Sequence, residues 1–439
     1  MTLPKKIKRG NPMRIPSDVQ EIMKTLKHNG FVAYLVGGCV RDFFLGRTIH
    51  DFDIISDALA EQLAGIFPRV IPIGKRFGTV TLLTQYRSVE VSTMIGTLEQ
   101  NCSQRDFTIN SMAMDEEGVL YDYYGGKRDA ELRILRAVGN ADDRFKEDPL
   151  RLMRLIRFAT VLEFNIDKGT KQKAIINAPL ISKVSVERIR DEFCKIILSD
   201  NPGSGIMLLA QHNLLPVVMP ELEECIGFEQ HSPHHDKDVF QHTVAVLNNS
   251  PARLSVRLAA LLHDIGKPQT FTIGKDGRGH FYDHQKAGSE MVRHILTRLK
   301  FDNKTIAVVT VLVKEHMSRF EFLREKSVKK FINRVGVENL DDLFALQIAD
   351  IKGSARSDDF SMVTDLRSKV DEVLNKGEPM TVKELAINGV DLIRMGIKPG
   401  PAIGKMLKQV LDLVMEEPSL NTREKLTILV GKLKGESLQ

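Results

Sequence analysis

Phe31-Val32-Ala33-Tyr34-Leu35-Val36-Gly37-Gly38-Cys39-Val40-Arg41-Asp42 reads as a strand that runs into a glycine turn and then a helix. Its first half is aromatic and β-branched, as a strand requires. Gly37 and Gly38 at the strand end expose backbone N–H groups and let a phosphate come close, and a helix N-terminus behind them favours an anion. Alone, the pair is equally a tight turn, which glycine serves anywhere. Asp51 and Asp53 decide the matter. They alternate at the start of a second predicted strand, Phe52 to Ile55, so both carboxylates share one sheet face while Phe52 points to the other. Two adjacent carboxylates repel unless a cation joins them, and an all-oxygen ligand set favours Mg²⁺. Two such ions would clamp the attacking and leaving oxygens of a phosphoryl transfer.

Working outward, Val70 to Ile73, Thr79 to Leu83 and Ser88 to Val91 also read as strands. Between the first two, Lys75 and Arg76 sit in a glycine-flanked loop suited to phosphate or primer contact, or simply to a solvated turn. From Pro149 the apolar spacing changes to the helical period, beginning with Leu150, Met153 and Leu155, and stays helical to the end. The fold class expected is α+β for the N-terminal part, a mixed sheet with helices, followed by all-α segments. The divisions expected are a head over 1–138, a helical neck over 139–215, a third domain over 216–370 and a helical tail over 371–439. Pro and Gly clusters near Asn201, Gly274 and Pro399 mark loops or boundaries.

A chain of 439 residues with 42% hydrophobic side chains has core material for several domains, which excludes a disordered chain. A net charge of +5 and a pI of about 8.8 are compatible with an anionic partner without naming one. No segment reads as a signal peptide or membrane span, so the cytoplasm is the expected compartment. Cys39, Cys102, Cys194 and Cys225 are too scattered for a zinc knuckle or disulfide framework and read as free thiols.

Gly37-Gly38-Cys39-Val40-Arg41-Asp42, Leu45-Gly46 and Asp51-Phe52-Asp53 together resemble the signature of the class II tRNA nucleotidyltransferase and bacterial poly(A) polymerase family. Glu90-Val91-Ser92-Thr93, Arg105-Asp106-Phe107-Thr108-Ile109-Asn110, Glu147-Asp148-Pro149-Leu150-Arg151 and Ser185-Val186-Glu187-Arg188-Ile189 resemble its later blocks in the right order. The resemblance implies Asp51 and Asp53 as catalytic Mg²⁺ ligands. It implies a nucleotide site formed by Gly37, Gly38, Arg41, Arg105, Asp106, Asn110, Asp148 and Arg151, with Arg154 and Arg157 continuing the helix face. The family usually has a second arginine before Arg105, and Gln104 stands there instead.

Asp148 and Arg151, three apart on a helix, share a face. Cytosine and adenine both present an exocyclic amine beside a ring-nitrogen acceptor; uracil and guanine present a carbonyl beside N–H. A carboxylate with a guanidinium therefore suits C and A and mismatches U and G, at a cost when buried. Asp before Pro before a helical run is also how a helix cap reads, and both roles stay open for Asp148. Arg154 and Arg157 meet the triphosphate or primer, or lie as solvent-facing charge; Asp106 is a ribose contact or a cap.

Downstream, His242, His263-Asp264, His284, His316 and Asp350 form an ordered set. It resembles the HD phosphohydrolase superfamily. The resemblance implies His242, His263, Asp264 and Asp350 at one divalent-metal site, with His284 and His316 extending it, and a phosphoester as substrate. Imidazole with carboxylate suits a transition metal or Mg²⁺, and the metal stays undetermined.

The function expected is addition of cytidines to the tRNA 3′ end from CTP. Family members that build the whole CCA end carry a longer charged loop between the blocks at Glu90 and Arg105, where this chain has only Val91 to Gln104. That shortness resembles members that add two cytidines and leave the adenosine to a separate A-adding partner enzyme. Full CCA addition from CTP and ATP is the second reading. A poly(A) polymerase, or a phosphohydrolase with a degenerate head, stands further back.

Overall fold

The computed structural model describes residues 15–73, 78–229, 237–275, 278–318, 322–354 and 359–436. The chain divides into two compact units, Met1–Val218 and Met219–Gln439. Lys75 and Arg76 lie outside the described residues.

In the first unit the strands are β1 (Ala33–Val36), β2 (Asp53–Ser56), β3 (Val70–Ile73), β4 (Thr79–Leu83), β5 (Ser88–Thr93), β6 (Met112–Met114) and β7 (Leu120–Asp122). They form one sheet in the order β3-β4-β5-β2-β1-β6-β7. β2 runs parallel to β5 and every other pairing is antiparallel, so the sheet is mixed as expected. Phe52 precedes β2 rather than starting it, yet it is buried and points into the core opposite Asp53. β6 and β7 were not legible as strands.

Period-2 alternation sorts the side chains of this sheet. Leu35, Ile54, Val80, Val89 and Val91 face a core closed by Val19, Ile22, Met23 and Leu26 of α1 (Ser17–His28). On the opposite face, Val36, Ile55 and Ala113 pack with Leu98 and Cys102. The remaining helices here are α2 (Gly38–Leu45), α3 (Ala60–Ile66), α4 (Leu98–Ser103) and α5 (Gly126–Glu131). Val36 pairs with Asp53 and Asp53 with Glu90 across the ladders, so the acidic residues lie on the face that α4 covers.

The helical continuation of this unit comprises α6 (Ala141–Glu147), α7 (Leu150–Leu162), α8 (Lys168–Asn177), α9 (Val186–Ile197), α10 (Pro202–Gln211) and α11 (Leu215–Val218). Short strands β8 (Ile134–Leu135) and β9 (Asn165–Ile166) pair in parallel between α5 and α8. Helix α7 buries Leu152, Met153, Leu155 and Ile156 and packs against α9 and α10. Its remaining face carries the arginines.

The second unit starts with α12 (Pro220–Glu223), α13 (Val239–Asn249), α14 (Leu254–Leu262) and α15 (Lys267–Thr270). A hairpin of β10 (Phe271–Ile273) and β11 (Gly279–Phe281) then interrupts a segment expected to be helical. After it come α16 (His284–Arg298), α17 (Asn303–Glu315), α18 (Glu325–Val335), α19 (Leu340–Gly353) and α20 (Ser361–Asn375). A separate apolar cluster, with Leu392, Val410, Val414, Leu426 and Val430 at its centre, joins α21 (Gly389–Arg394), α22 (Pro401–Glu416) and α23 (Arg423–Glu436). Ile397 and Ile403, on either side of the start of α22, pack on this cluster. Among the described residues no helix is long and apolar enough to cross a membrane.

Candidate functional site

Gly37 holds φ 74°, ψ −130°, a backbone that an L side chain rarely adopts. A Cβ on it would lie 3.2 Å from the Arg105 guanidinium and 3.7 Å from the Asp53 carboxylate. Glycine is therefore required both for the turn and for what stands over it. Asp51 is exposed and Asp53 half-buried. Burial raises the Asp53 pKa, the nearby Glu90 and Asp51 carboxylates raise it further, and Arg105 opposes them. Glu90 is thus a third carboxylate of this site. It was missed because it entered only as part of a strand-like block, and its proximity follows from the β2–β5 register.

All twelve residues expected to act in nucleotide transfer, from Gly37 to Arg157, line one cleft of about 1300 Å³. Its floor is a chain of hydrogen bonds. Arg41 donates to both Asp42 oxygens at 2.9 Å and to Asn110 Oδ1 at 2.8 Å. Asn110 Nδ2 donates to Asp106 Oδ1 at 3.0 Å, and Arg154 donates twice to Asp106 Oδ2, at 2.8 and 2.6 Å. Burial alone would raise the Asp106 pKa, but Arg154 and the amide of Asn110 hold it below the usual carboxylate value. The guanidiniums of Arg41, Arg154 and Arg157 stand 5.2, 5.2 and 4.2 Å from the ring centre of Phe158. Arg157 also approaches Glu192 to 3.0 Å, at an angle that makes an ion pair without a hydrogen bond.

Asp148 Oδ1 accepts from Leu150 N at 3.2 Å, as a cap does, while Oδ2 meets Arg188 at 3.0 Å. Arg151 donates to Glu147 Oε2 at 2.9 Å, to the Arg144 carbonyl at 3.0 Å and to the Gln104 carbonyl at 2.7 Å. Both groups are oriented by partners at the cleft edge, and Gln104 contributes through its backbone.

The second cluster lies wholly in the second unit. His242 (from α13), His263 and Asp264 (just past α14) bring one ligand atom each within 4.8 Å of one another; Asp264, His284 and His316 do the same. Asp264 Oδ2 faces His263 Nε2 at 3.2 Å and His242 Nε2 at 3.6 Å, and its Oδ1 faces His284 Nε2 at 3.4 Å and His316 Nε2 at 3.9 Å. Asp350 Oδ1 is 3.1 Å from His242 Nε2. His263, His284 and His316 each direct Nδ1 at the carbonyl three residues earlier, those of Ala260, Phe281 and Val313. Nδ1–H therefore donates, leaving Nε2 lone pairs aimed inward, as in metal-ligating histidines whose other ring nitrogen is held by a backbone carbonyl. The Nε2 atoms of His284 and His316 are buried and make no hydrogen bond. Burial, with His263 beside it, pushes the His316 pKa down to about 4. The approach is close: a Cβ on Gly266 would meet the His284 carbonyl at 2.4 Å. All six expected residues thus meet, beside a cavity of about 580 Å³.

Residues 33–136 match the family described as "Poly A polymerase head domain", 163–226 "Probable RNA and SrmB- binding site of polymerase A", and 281–430 the second domain of tRNA nucleotidyltransferases. The chain is 31% identical to the CCA-adding enzyme of Lactobacillus delbrueckii subsp. bulgaricus, over 90% of its own length and 92% of that protein's. The chain belongs to the tRNA nucleotidyltransferase family. It is equally 31% identical to the A-adding tRNA nucleotidyltransferase of Deinococcus radiodurans, over 87% and 91% of the two chains. Among solved structures, the Bacillus stearothermophilus CCA-adding enzyme in complex with CTP superposes with a TM-score of 0.73 at 26% identity, covering 95% and 97%. The Thermotoga maritima CCA-adding enzyme complexed with tRNA shares the fold, with a TM-score of 0.58 at 22% identity over 96% and 97%. This nucleotidyltransferase is therefore an RNA-extending enzyme whose first unit carries the cleft described above.

Proposed function

We propose that this nucleotidyltransferase adds two cytidines from CTP to the 3′ end of tRNA and stops there. The observation that carries the reading is the connection after β5. Only Met94 to Thr97 separate β5 from α4, and α4 is capped by a reciprocal pair, Thr97 with Gln100, and anchored by buried Leu98 and Cys102. Cytosine and adenine share an edge but differ in ring size, so one pocket needs a moving element to take both. Here the segment in that place is a capped helix seated on the sheet.

Asp51 and Asp53 fit divalent cations, because the Asp53 carboxylate is burdened by burial and by two like-charged neighbours that a cation would relieve. Bound Mg²⁺ would supply polarisation of the attacking hydroxyl and of the triphosphate oxygens. The residues of the chain position the reactants. The Gly37 turn and Arg105 hold phosphate oxygens against the acid pair, and Asp148 and Arg151 present an acceptor and a donor to the base edge. The test is extension of tRNA ending in CC with ATP as sole nucleotide. Addition of a terminal A would overturn the two-cytidine reading, and a stop after the second C with both nucleotides present supports it, with a separate A-adding enzyme completing the end.

The second cluster favours an additional activity, metal-dependent hydrolysis of a phosphoester. Asp264 offers one oxygen towards His242 and His263 and the other towards His284 and His316, a donor set that with Asp350 would hold divalent metal, which would supply polarisation of a phosphoester and of a water. Elemental analysis finding no bound ion, together with no hydrolysis under several divalent cations, would reduce the cluster to a scaffold.

A further inference from the structure

Arg144 and Glu147, on the last turn of α6, do not line the nucleotide cleft, yet both bond to Arg151, which does. Arg151 Nη1 donates to Glu147 Oε2 and to the Arg144 carbonyl, and Nη2 donates to the Gln104 carbonyl. Three of its five N–H donors are thereby engaged, and Nε–H with one Nη2–H keeps no partner among the described residues. Arg144 closes the ring of contacts. Its Nη1 donates to the Ser103 carbonyl at 2.8 Å and its Nη2 to Glu147 Oε1. The successive carbonyls of Ser103 and Gln104, at the C-terminal end of α4, thus hold one arginine each, where a helix end favours a cation. The Glu147 side chain is 46% exposed, and such a carboxylate alone is a loose partner for Arg151. With Oε1 taken by Arg144, Oε2 is turned to Arg151. One arginine would suffice to brace α4 against α6; the shared carboxylate adds orientation of the other.

We propose that Arg144 is a positioning residue for base selection: through Glu147 it holds the Arg151 guanidinium so that the two unengaged donors keep one direction. The proposal rests on the reading above in which Arg151 donates to the base edge. Cytosine and uracil differ at that edge by an acceptor against an N–H, and uracil carries a carbonyl on each side of its N–H. A guanidinium free to swing would find one of those carbonyls and lose the contrast. The frame that prevents the swing is firm at its far side, since α4 is capped by Thr97 with Gln100 and anchored by buried Leu98 and Cys102. The orientation of Arg151 is thereby referred to the sheet.

The experiment uses the full chain, a tRNA lacking its 3′ CCA, and CTP or UTP as sole nucleotide, with kcat and KM measured for each. Arg144→Met keeps the aliphatic stem and removes both donations. It should narrow the CTP-to-UTP ratio of kcat/KM by about tenfold, through a loss on CTP that UTP does not share. In an Arg151→Ala background the same change should narrow the ratio no further, as expected of a residue that acts through another. Equal losses on the two nucleotides, or a further narrowing beyond that of Arg151→Ala, would make Arg144 a brace for α4 and overturn the proposal. Arg144→Lys covers the case in which the methionine variant fails to fold. It keeps a cation at the end of α4 but lacks the fork, so it should still narrow the ratio with a melting temperature near that of the wild type. A wild-type ratio in the lysine variant would equally overturn the proposal. If Arg151→Ala itself left the ratio unchanged, the base-reading role would fall and this inference with it. Narrowing by Arg151→Ala without narrowing by Arg144→Met would remove the inference alone.

Discussion

Asp51 and Asp53 line a cleft of about 1300 Å³, one exposed and one half-buried, with Glu90 and Arg105 acting on the Asp53 carboxylate. Asp264 is 2% exposed beneath four imidazoles whose tautomers are largely fixed by backbone carbonyls. The first arrangement suits ions that arrive with a triphosphate and leave with its product, since hard oxygen ligands on an open rim exchange readily. The second suits resident ions. The sharpest way to separate the two is reciprocal substitution. Asp53→Ala should lower cytidine addition on the order of 10³-fold or more while phosphoester hydrolysis persists, and Asp264→Asn should do the reverse. Loss of both activities in either variant, with circular dichroism unchanged, would mean that the sites are not independent.

Metal removal tests the same contrast through stability. An ion held at 100 times its dissociation constant adds about 2.7 kcal/mol, roughly 5–10 °C for a domain of this size. Excess EDTA should therefore lower the melting temperature of the wild type by that amount and leave Asp264→Asn nearly unmoved. An equal EDTA shift in both would show that the stabilising ion sits elsewhere.

At the neck, Asp148→Ala or Arg151→Ala should weaken cytidine incorporation about 10- to 100-fold and admit U or G, as expected for one unpaired polar group. Single-nucleotide incorporation with each of the four triphosphates measures it. Unchanged selectivity would leave Asp148 as a cap, a role that its contact with Leu150 N already fills in part.

The acid pair and the glycine turn were legible because each is local. Asp148 was expected to share a helix face with Arg151, but it ends α6 in extended backbone before α7 begins, so the two reach the cleft from the turn between helices and from α7 rather than from one helical period. Strands β6 and β7 were not legible, since Met112–Met114 has no β-rich pattern and is a strand only through its pairing with β1 and β7. The hairpin of β10 and β11 is equally brief. Glu90 and Arg188 owe their place at the cleft to partners far along the chain, which no local period reveals. Gln104 stands where the family usually has a second arginine, but a carbonyl is independent of side-chain identity, and it is the carbonyl that holds Arg151.

The smallest expected effect lies within the first cleft, where two carboxylates are driven in opposite directions. Asp106 has a lowered pKa, so its charge contributes stability above the ordinary value of 3.8 and loses it as pH falls through the lower folded value. Asp53 has a raised pKa, so its charge destabilises the metal-free fold at neutral pH, and that penalty disappears as pH falls through the raised folded value towards 3.8. In urea denaturation under EDTA, Asp106→Asn should cost about 1–2 kcal/mol at pH 7, with the gap to wild type shrinking below about pH 4. Asp53→Asn should be neutral or slightly stabilising at pH 7, with its gap closing at a higher pH than that of Asp106→Asn. The order of closure follows from the surroundings: Arg154 bonds Asp106 directly through two donors, whereas Asp53 has Glu90 and Asp51 beside it and only a Coulombic pull from Arg105. If Asp53→Asn proved as costly as Asp106→Asn at neutral pH without metal, then Arg105 would already be satisfying the Asp53 carboxylate, and the case for a cation between Asp51 and Asp53 would lose its electrostatic ground.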